Sequence, residues 1–207
     1  MRILLIRHGQ DQQGYRGGWS QRGLNEEGVN QSRTLAAHLQ TSWQPLDYLL
    51  ASDLRRATQT AEAISQLLHL PIHEAPQWRE MNNGELAGML HEEACERYPG
   101  LFAHTLGMDE PYPGGESPRQ FFQRIRQVFE ELCVAQLSCY LPSHIAVVTH
   151  GGPINIVYTL LKQIEWSNKM PSFPTTATSI HEIVFRDGSW QISVENSCRS
   201  TIEKFSR

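Results

Sequence analysis

Residues 3–9 of the chain read Ile3-Leu4-Leu5-Ile6-Arg7-His8-Gly9, and residues 145–151 repeat the design as Ile145-Ala146-Val147-Val148-Thr149-His150-Gly151. Four consecutive apolar residues in each stretch predict a short strand that is buried on both faces. A histidine followed by glycine lies just beyond each strand. Because ligands of parallel α/β sheets bind beyond the carboxyl ends of the strands, we expect both imidazoles to face one crevice.

Outside these two stretches, strand patterns alternate with helical patterns. Further strands are predicted at 46–50, 178–185 and 190–194, and a turn at Asp187-Gly188 joins the last two. Helices are predicted to begin at Asn25, at Ser52 or Asp53, at Ser117 and at Pro153. This alternation predicts an α/β fold with a mostly parallel central sheet and helices on both faces.

The 207 residues suffice for a single domain, 1–207, in which a Gly- and Pro-rich segment from about 78 to 116 forms a cap-like insertion. A net charge of −4 argues against nucleic acid or an anionic membrane as the main partner. The apolar runs are too short for a membrane span or signal peptide. The four cysteines include no Cys-x-x-Cys pair, so we expect reduced thiols in a cytoplasmic protein, either monomer or homodimer.

Two arginines accompany the two histidines. Arg7 lies beside His8, and Arg56 falls in the first turn of the helix after the second strand. A guanidinium at a helix N-terminus suits a doubly charged phosphate. Taken singly, either histidine is readily explained by a hydrogen bond to a carbonyl, and Arg56 by an ordinary surface position. Taken together, the four side chains predict a site that surrounds a phosphoryl group.

Five segments then resemble, in order, the motifs of the histidine phosphatase superfamily, which includes cofactor-dependent phosphoglycerate mutases and many small phosphatases. The resemblance runs from residue 2 to about 196, and it implies a phosphoglycerate mutase-like fold in the phosphatase branch. The matching segments are Leu5–Gln10, Ser52–Ala61, Trp78–Met81 with Gly84-Glu85 and Gly88, Pro113–Ser117, and Val147–Gly152.

The resemblance also implies roles for individual residues. His8 is the expected nucleophile and carries a phosphohistidine, while its other ring nitrogen donates to a carbonyl near Gly9. Glu80 is the expected proton donor. The remaining catalytic residues are expected to be His150, Arg7 and Arg56, and the substrate-binding residues Arg7, Gln10, Arg56, Glu80, His150 and Gly151. The substrate is expected to be a small-molecule phosphomonoester, with no metal and no cofactor.

Two positions leave alternatives open. Asp11 stands where the family usually has Ser or Thr, and its carboxylate is expected to repel phosphate unless Arg7, Arg16 or Arg22 neutralises it. Glu80 is alternatively a surface carboxylate paired with Arg79, and Glu85 competes with it for the acid role.

Three functions remain in view: a phosphomonoesterase of broad or unknown preference, with α-ribazole phosphatase as one specific form; a phosphoglycerate mutase; and a non-catalytic module that binds phosphate ligands. Between Met81 and Glu116, Arg97 is the single strong cation, which argues against a mutase that retains a carboxylated trianion. A binding module needs no nucleophile or acid. Apolar residues of this segment suggest either a mouth for larger esters or simple core packing: Met89, Tyr98, Phe102, Leu106 and Tyr112.

Overall fold

A six-stranded sheet lies at the centre of the computed structural model, which describes residues 1–198. The strands are β1 (Arg2–Arg7), β2 (Tyr48–Ala51), β3 (Ile72–Glu74), β4 (His144–Thr149), β5 (Ile180–Arg186) and β6 (Ser189–Ser197). They are ordered β3-β2-β4-β1-β5-β6. The first four in that order are parallel to their neighbours, whereas β5 and β6 are antiparallel. The predicted fold class is confirmed. The sheet is mixed because β5 is antiparallel to β1 and forms an antiparallel hairpin with β6 at the edge of the sheet.

Helices cover both faces of the sheet. They are α1 (Glu26–Ser42), α2 (Arg55–Leu68), α3 (His91–Arg97), α4 (Pro118–Leu137) and α5 (Gly151–Leu161). Leu4 and Ile6 of β1 pack with α1 and α2, while Ile3 and Leu5 pack with α4 and α5 on the other face. All four side chains are completely buried. Successive strand residues point to opposite faces, so a continuous apolar run is what a doubly covered strand requires.

Two helix caps and one β-turn lie where the sequence predicts them. The Asn25 side chain caps α1 by accepting the Gly28 N–H, and Ser117 with Gln120 forms a capping box at α4. Asp187 and Gly188 both have positive φ, which the tight β5–β6 turn requires.

Other boundaries differ from the predictions. The prediction that Ser52 or Asp53 caps α2 is wrong: the cap is Leu54, without a side-chain bond, because Ser52 contacts His150 and Asp53 pairs with Arg79. Two further elements begin elsewhere: β2 starts two residues later than predicted, and α5 two residues earlier than Pro153. Strand β3 was not predicted, since three residues give too short a pattern.

Residues 76–105 contain α3 and three single-turn 3₁₀ helices, Pro76–Trp78, Gly84–Leu86 and Ala103–Thr105. Trp78, Leu86 and Leu106 are buried in the core cluster beside α4 and α5. Core packing therefore explains Leu106, whereas Tyr112, which is 7% exposed, packs in the core and also lines a cavity. The domain limits and the cap at 78–116 stay predictions, and residues 199–207 lie outside the described part of the chain. No helix within residues 1–198 is long and apolar enough to cross a membrane.

Candidate active site

The two predicted histidines lie together at the carboxyl ends of β1 and β4. These strands are adjacent and parallel, with Arg7 opposite Thr149, so the residues that follow them meet. The ring centroids of His8 and His150 are 5.0 Å apart. His8 is 5% exposed and His150 is fully buried. The convergence expected from the sequence is present in the fold.

The hydrogen bonds of His8 define its tautomer. Its Nδ1 lies 2.7 Å from the Gly9 carbonyl oxygen and therefore carries the proton. Its Nε2 accepts a hydrogen bond from Nε of Arg56 at 3.2 Å. Burial, reinforced by the Arg56 charge, holds the pKa of His8 well below its usual 6.5, although the Gly9 bond opposes this shift. His8 is thus a neutral imidazole with a lone pair on Nε2.

Arg56 is held in place by the loop that covers it. It is 2% exposed, and it donates to the carbonyls of Ser20 (3.1 Å) and Gly18 (2.8 Å) as well as to His8. The neighbouring Arg55, by contrast, is exposed. The surface alternative for Arg56 is therefore wrong.

One buried nitrogen of Arg7 and one of His150 have no hydrogen-bond partner within residues 1–198. Arg7 donates through Nη1 to the Thr175 carbonyl, but its Nε has no acceptor. His150 bonds Ser52 Oγ through Nε2 at 2.8 Å, and its Nδ1 has no partner. Burial and the Arg56 charge also hold the pKa of His150 well below 6.5. Since unpaired buried polar groups cost free energy, these atoms are suited to a bound oxyanion.

Glu80 reaches this group from the segment after β3. Its Oε2 accepts the Gly152 N–H at the start of α5 at 3.0 Å, and its Oε1 accepts its neighbour's N–H, that of Met81, at 2.9 Å. Arg79 pairs with Asp53 instead of Glu80, and Glu85 accepts the Tyr98 hydroxyl. The surface-pair alternative for Glu80 is therefore wrong.

Several residues that hold Glu80 were not predicted. The Glu80 carbonyl accepts from Trp19 Nε1 at 2.7 Å and from Nη2 of Arg124 at 3.1 Å. Arg124 also bonds the carbonyls of Gln77 and Arg79 and pairs with Glu116. An arginine on the otherwise apolar face of α4 was the available signal.

The cation nearest to the Asp11 carboxylate is Arg56, and not one of the three arginines that were predicted to neutralise it. Its Oδ2 lies 3.7 Å from Arg56 Nε, the same atom that donates to His8. Arg7, Arg16 and Arg22 have other partners, which are the Thr175 carbonyl, the Phe102 ring and the Tyr15 ring. A carboxylate therefore lies beside the guanidinium of Arg56.

A cavity of about 330 Å³ opens onto His8, Arg7, Glu80 and Gly151. We call it the nucleophile cavity. Seven of its lining residues lie between Trp166 and Thr175, a segment that was not predicted to take part in the site. Gln10 bonds Gln31 and Asn25 through its backbone; its side chain makes no hydrogen bond within residues 1–198, so its binding role stays a prediction.

Comparisons with known proteins agree with this geometry. The model of the histidine phosphatase superfamily (branch 1) matches residues 3–197. The metal-independent phosphoserine phosphatase of Arabidopsis thaliana is 28% identical, over 92% of this chain and 79% of that protein. The uncharacterized phosphatase PhoE of Bacillus subtilis is 28% identical, over 94% and 93%. The crystal structure of the α-ribazole phosphatase from Shigella flexneri superposes with a TM-score of 0.78 at 25% identity, covering 95% of this chain and 96% of that one. With matching motifs, fold and relatives, the chain belongs to branch 1 of the histidine phosphatase superfamily.

Proposed function

We propose that the protein is a phosphomonoester hydrolase that works through a phosphohistidine on Nε2 of His8, without a metal ion. The observation that carries this proposal is the arrangement around that atom. A neutral His8, with its proton fixed on Nδ1 by Gly9, turns its Nε2 lone pair toward Arg56 and lies beside His150. Such a nucleophile needs no general base before it attacks.

In the first step, Nε2 of His8 forms a bond to phosphorus as the bond to the ester oxygen breaks. Arg56 turns its Nε–H from the ring to a phosphoryl oxygen. The unpartnered Arg7 Nε and His150 Nδ1 donate to the other oxygens. These cationic and neutral donors stabilise the charge of the transition state inside a site largely closed to water.

Glu80 acts on the leaving group. In its protonated form it gives its proton to the departing alkoxide, and the alcohol leaves. The resulting carboxylate then takes a proton from water, whose oxygen attacks phosphorus and releases phosphate and neutral His8. The bond to the Gly152 N–H keeps the carboxyl group at the cavity that His8 also lines.

We further propose that the protein acts in the cytoplasm on small phosphate esters. Cys95, Cys133 and Cys139 are free thiols, which fits a reducing compartment. The names of the relatives supply a first panel of candidate substrates: phosphoserine and α-ribazole phosphate.

Rapid trapping of the phosphoenzyme tests the mechanism. Brief exposure to ³²P-labelled phosphomonoester followed by denaturation should give an acid-labile, base-stable adduct on the peptide containing His8. The His8→Ala variant should fold, bind no label and turn over no substrate. His91→Ala is the matched control, because His91 is exposed at the start of α3, and it should keep the full label.

Other outcomes separate the alternatives. Label on a different residue type rejects the proposed nucleophile. A labelled His8 that passes phosphate to phosphoglycerate rather than water indicates a mutase. Stable phosphate binding with neither adduct nor turnover indicates a binding module.

A further inference from the structure

A second cavity shares lining residues with the nucleophile cavity, among them Glu80. It has a volume of about 340 Å³, and we call it the Arg16 cavity. Glu80, Met81 and Ala103 line both spaces, while Arg16, Asn83 and Tyr112 line the second alone. Because Glu80 protonates the leaving oxygen in the proposed reaction and lines both spaces, these two cavities are the candidate spaces for the rest of the substrate.

Among residues 1–198, the lining of the nucleophile cavity offers no cation to a charged leaving group. Beyond the phosphate-binding residues its lining is aromatic, apolar or neutral and polar, and includes Phe121, Trp166 and Met170. Trp166 lies against Phe122 with their ring centroids 5.3 Å apart. A second anion placed there has no oppositely charged partner.

Arg16 is an unneutralised cation in the Arg16 cavity. Within residues 1–198 its guanidinium pairs with no carboxylate, and its Nε is buried without an acceptor. Its side chain makes one hydrogen bond in the described part of the chain, a long contact of 4.0 Å to Cys95 Sγ. The guanidinium stacks on the Phe102 ring at 4.1 Å, and the Arg16 N–H bonds the Met89 carbonyl at 2.8 Å, so the residue is fixed at both ends.

Two neutral donors share the cavity with Arg16. Asn83 is 8% exposed, and its Oδ1 accepts the Trp19 N–H, which leaves its NH₂ group without a partner within residues 1–198. The Tyr112 hydroxyl also makes no hydrogen bond in that range. Tyr112 and Arg16 line the same cavity; burial raises the pKa of Tyr112, and the Arg16 charge opposes this rise. A guanidinium, an amide and a phenol together suit a carboxylate.

We propose that the Arg16 cavity is an anion subsite for the leaving group, so that the preferred substrates carry a carboxylate in addition to the phosphoryl group. This inference rests on the proposed function. Phosphate lies at His8, the carboxylate lies at Arg16, and Glu80 acts on the ester oxygen between them. Arg97, the single strong cation between Met81 and Glu116, pairs with Glu93 and does not line the Arg16 cavity. Arg16 instead enters this cavity from the loop after β1.

A matched pair of substrates tests the subsite. 3-Phosphoglycerate and glycerol 3-phosphate share the phosphate and the neighbouring hydroxyl, and they differ by a carboxylate in place of a hydroxymethyl group. We expect wild-type kcat/KM to favour 3-phosphoglycerate. Arg16→Met should lower that preference about 10-fold or more, mainly through KM, because a charge-assisted bidentate contact is lost. Arg97→Met is the control, since Arg97 is exposed and paired with Glu93, and it should leave the preference unchanged.

A measurement on the unaltered protein covers the case in which Arg16→Met fails to fold. 3-Phosphonopropionate should inhibit at least about 10-fold more tightly than propylphosphonate, which lacks the carboxylate. The subsite is overturned if the two phosphonates inhibit equally. It is also overturned if Arg16→Met lowers kcat/KM equally for 3-phosphoglycerate and glycerol 3-phosphate. Phosphate trapping distinguishes the two proposals: a labelled His8 with no carboxylate preference removes only the subsite, whereas no label with either substrate removes the proposed function.

Discussion

The Gly152→Ala variant tests how strongly the reaction rate depends on the position of the Glu80 carboxyl group. An added Cβ at residue 152 would lie 2.1 Å from Glu80 Oε1, and ordinary contact begins at 3.4 Å, so the carboxyl group must retreat by about 1.3 Å (3.4 − 2.1). The Phe121 ring must also shift, because its Cζ would lie 2.9 Å from the same Cβ. Residue 152 lies within α5, where alanine is otherwise favourable.

A displacement of about 1 Å at a reacting group costs roughly 100-fold in rate, equivalent to about 2.7 kcal/mol of activation free energy. We therefore expect kcat of Gly152→Ala on alkyl phosphates to fall about 100-fold. Aryl phosphates should be slowed far less, because their leaving groups need little protonation. Steady-state phosphate release measures both, and thermal unfolding checks that the variant is folded.

The double variant with Glu80→Gln decides whether the effect passes through Glu80. Residues that act as a unit are not additive, so Gly152→Ala should add little to Glu80→Gln. If it slows Glu80→Gln as much as it slows the wild type, or slows alkyl and aryl phosphates equally, the reasoning is refuted.

Three further predictions concern the surrounding residues. Burial lowers the pKa of His181 from 6.5 to about 4. Between pH 6.5 and pH 4 the unfolded chain therefore binds a proton at His181 and the folded chain does not. The free energy of unfolding should fall by about 3 kcal/mol as the pH drops through this range. Urea unfolding of His181→Gln should lack this part of the loss, and an unchanged pH dependence contradicts it. Asp11→Ser should tighten vanadate inhibition several-fold, because the carboxylate 3.7 Å from Arg56 opposes the anion; weaker inhibition contradicts this. Ser52→Ala removes the bond to His150 Nε2 and should lower kcat about 10-fold at constant KM, whereas a change in KM alone points to a different role.

The buried strands were predictable because their pattern is local. Ile3–Ile6 and Ile145–Val148 are continuous apolar runs, and a run of that kind fits a strand covered on both faces. The cap of α2 was not predictable in the same way. Ser52 has the residue type of a cap, but its hydroxyl is used by His150, which is 98 residues away in sequence. Sequence patterns express local preference, and a tertiary partner overrides it here.

The same distinction applies to the site. His8, Arg56 and His150 follow directly from where strands end and a helix begins, so topology brings them together. Neither the pairing of Asp11 with Arg56 nor the support of Glu80 by Arg124 follows from spacing, since both depend on how loops fold over the sheet. The residues 166–175 that line the cavity likewise carry no periodic pattern that marks them.

A crystal structure with bound vanadate tests the central claim most directly, because vanadate adopts the five-coordinate geometry of phosphoryl transfer. We predict vanadium bonded to Nε2 of His8, equatorial oxygens within about 3 Å of donors on Arg7, Arg56 and His150, and the Glu80 carboxyl group at the apical oxygen opposite His8. Vanadate bonded to another residue, or held where Glu80 does not reach the apical oxygen, contradicts the account.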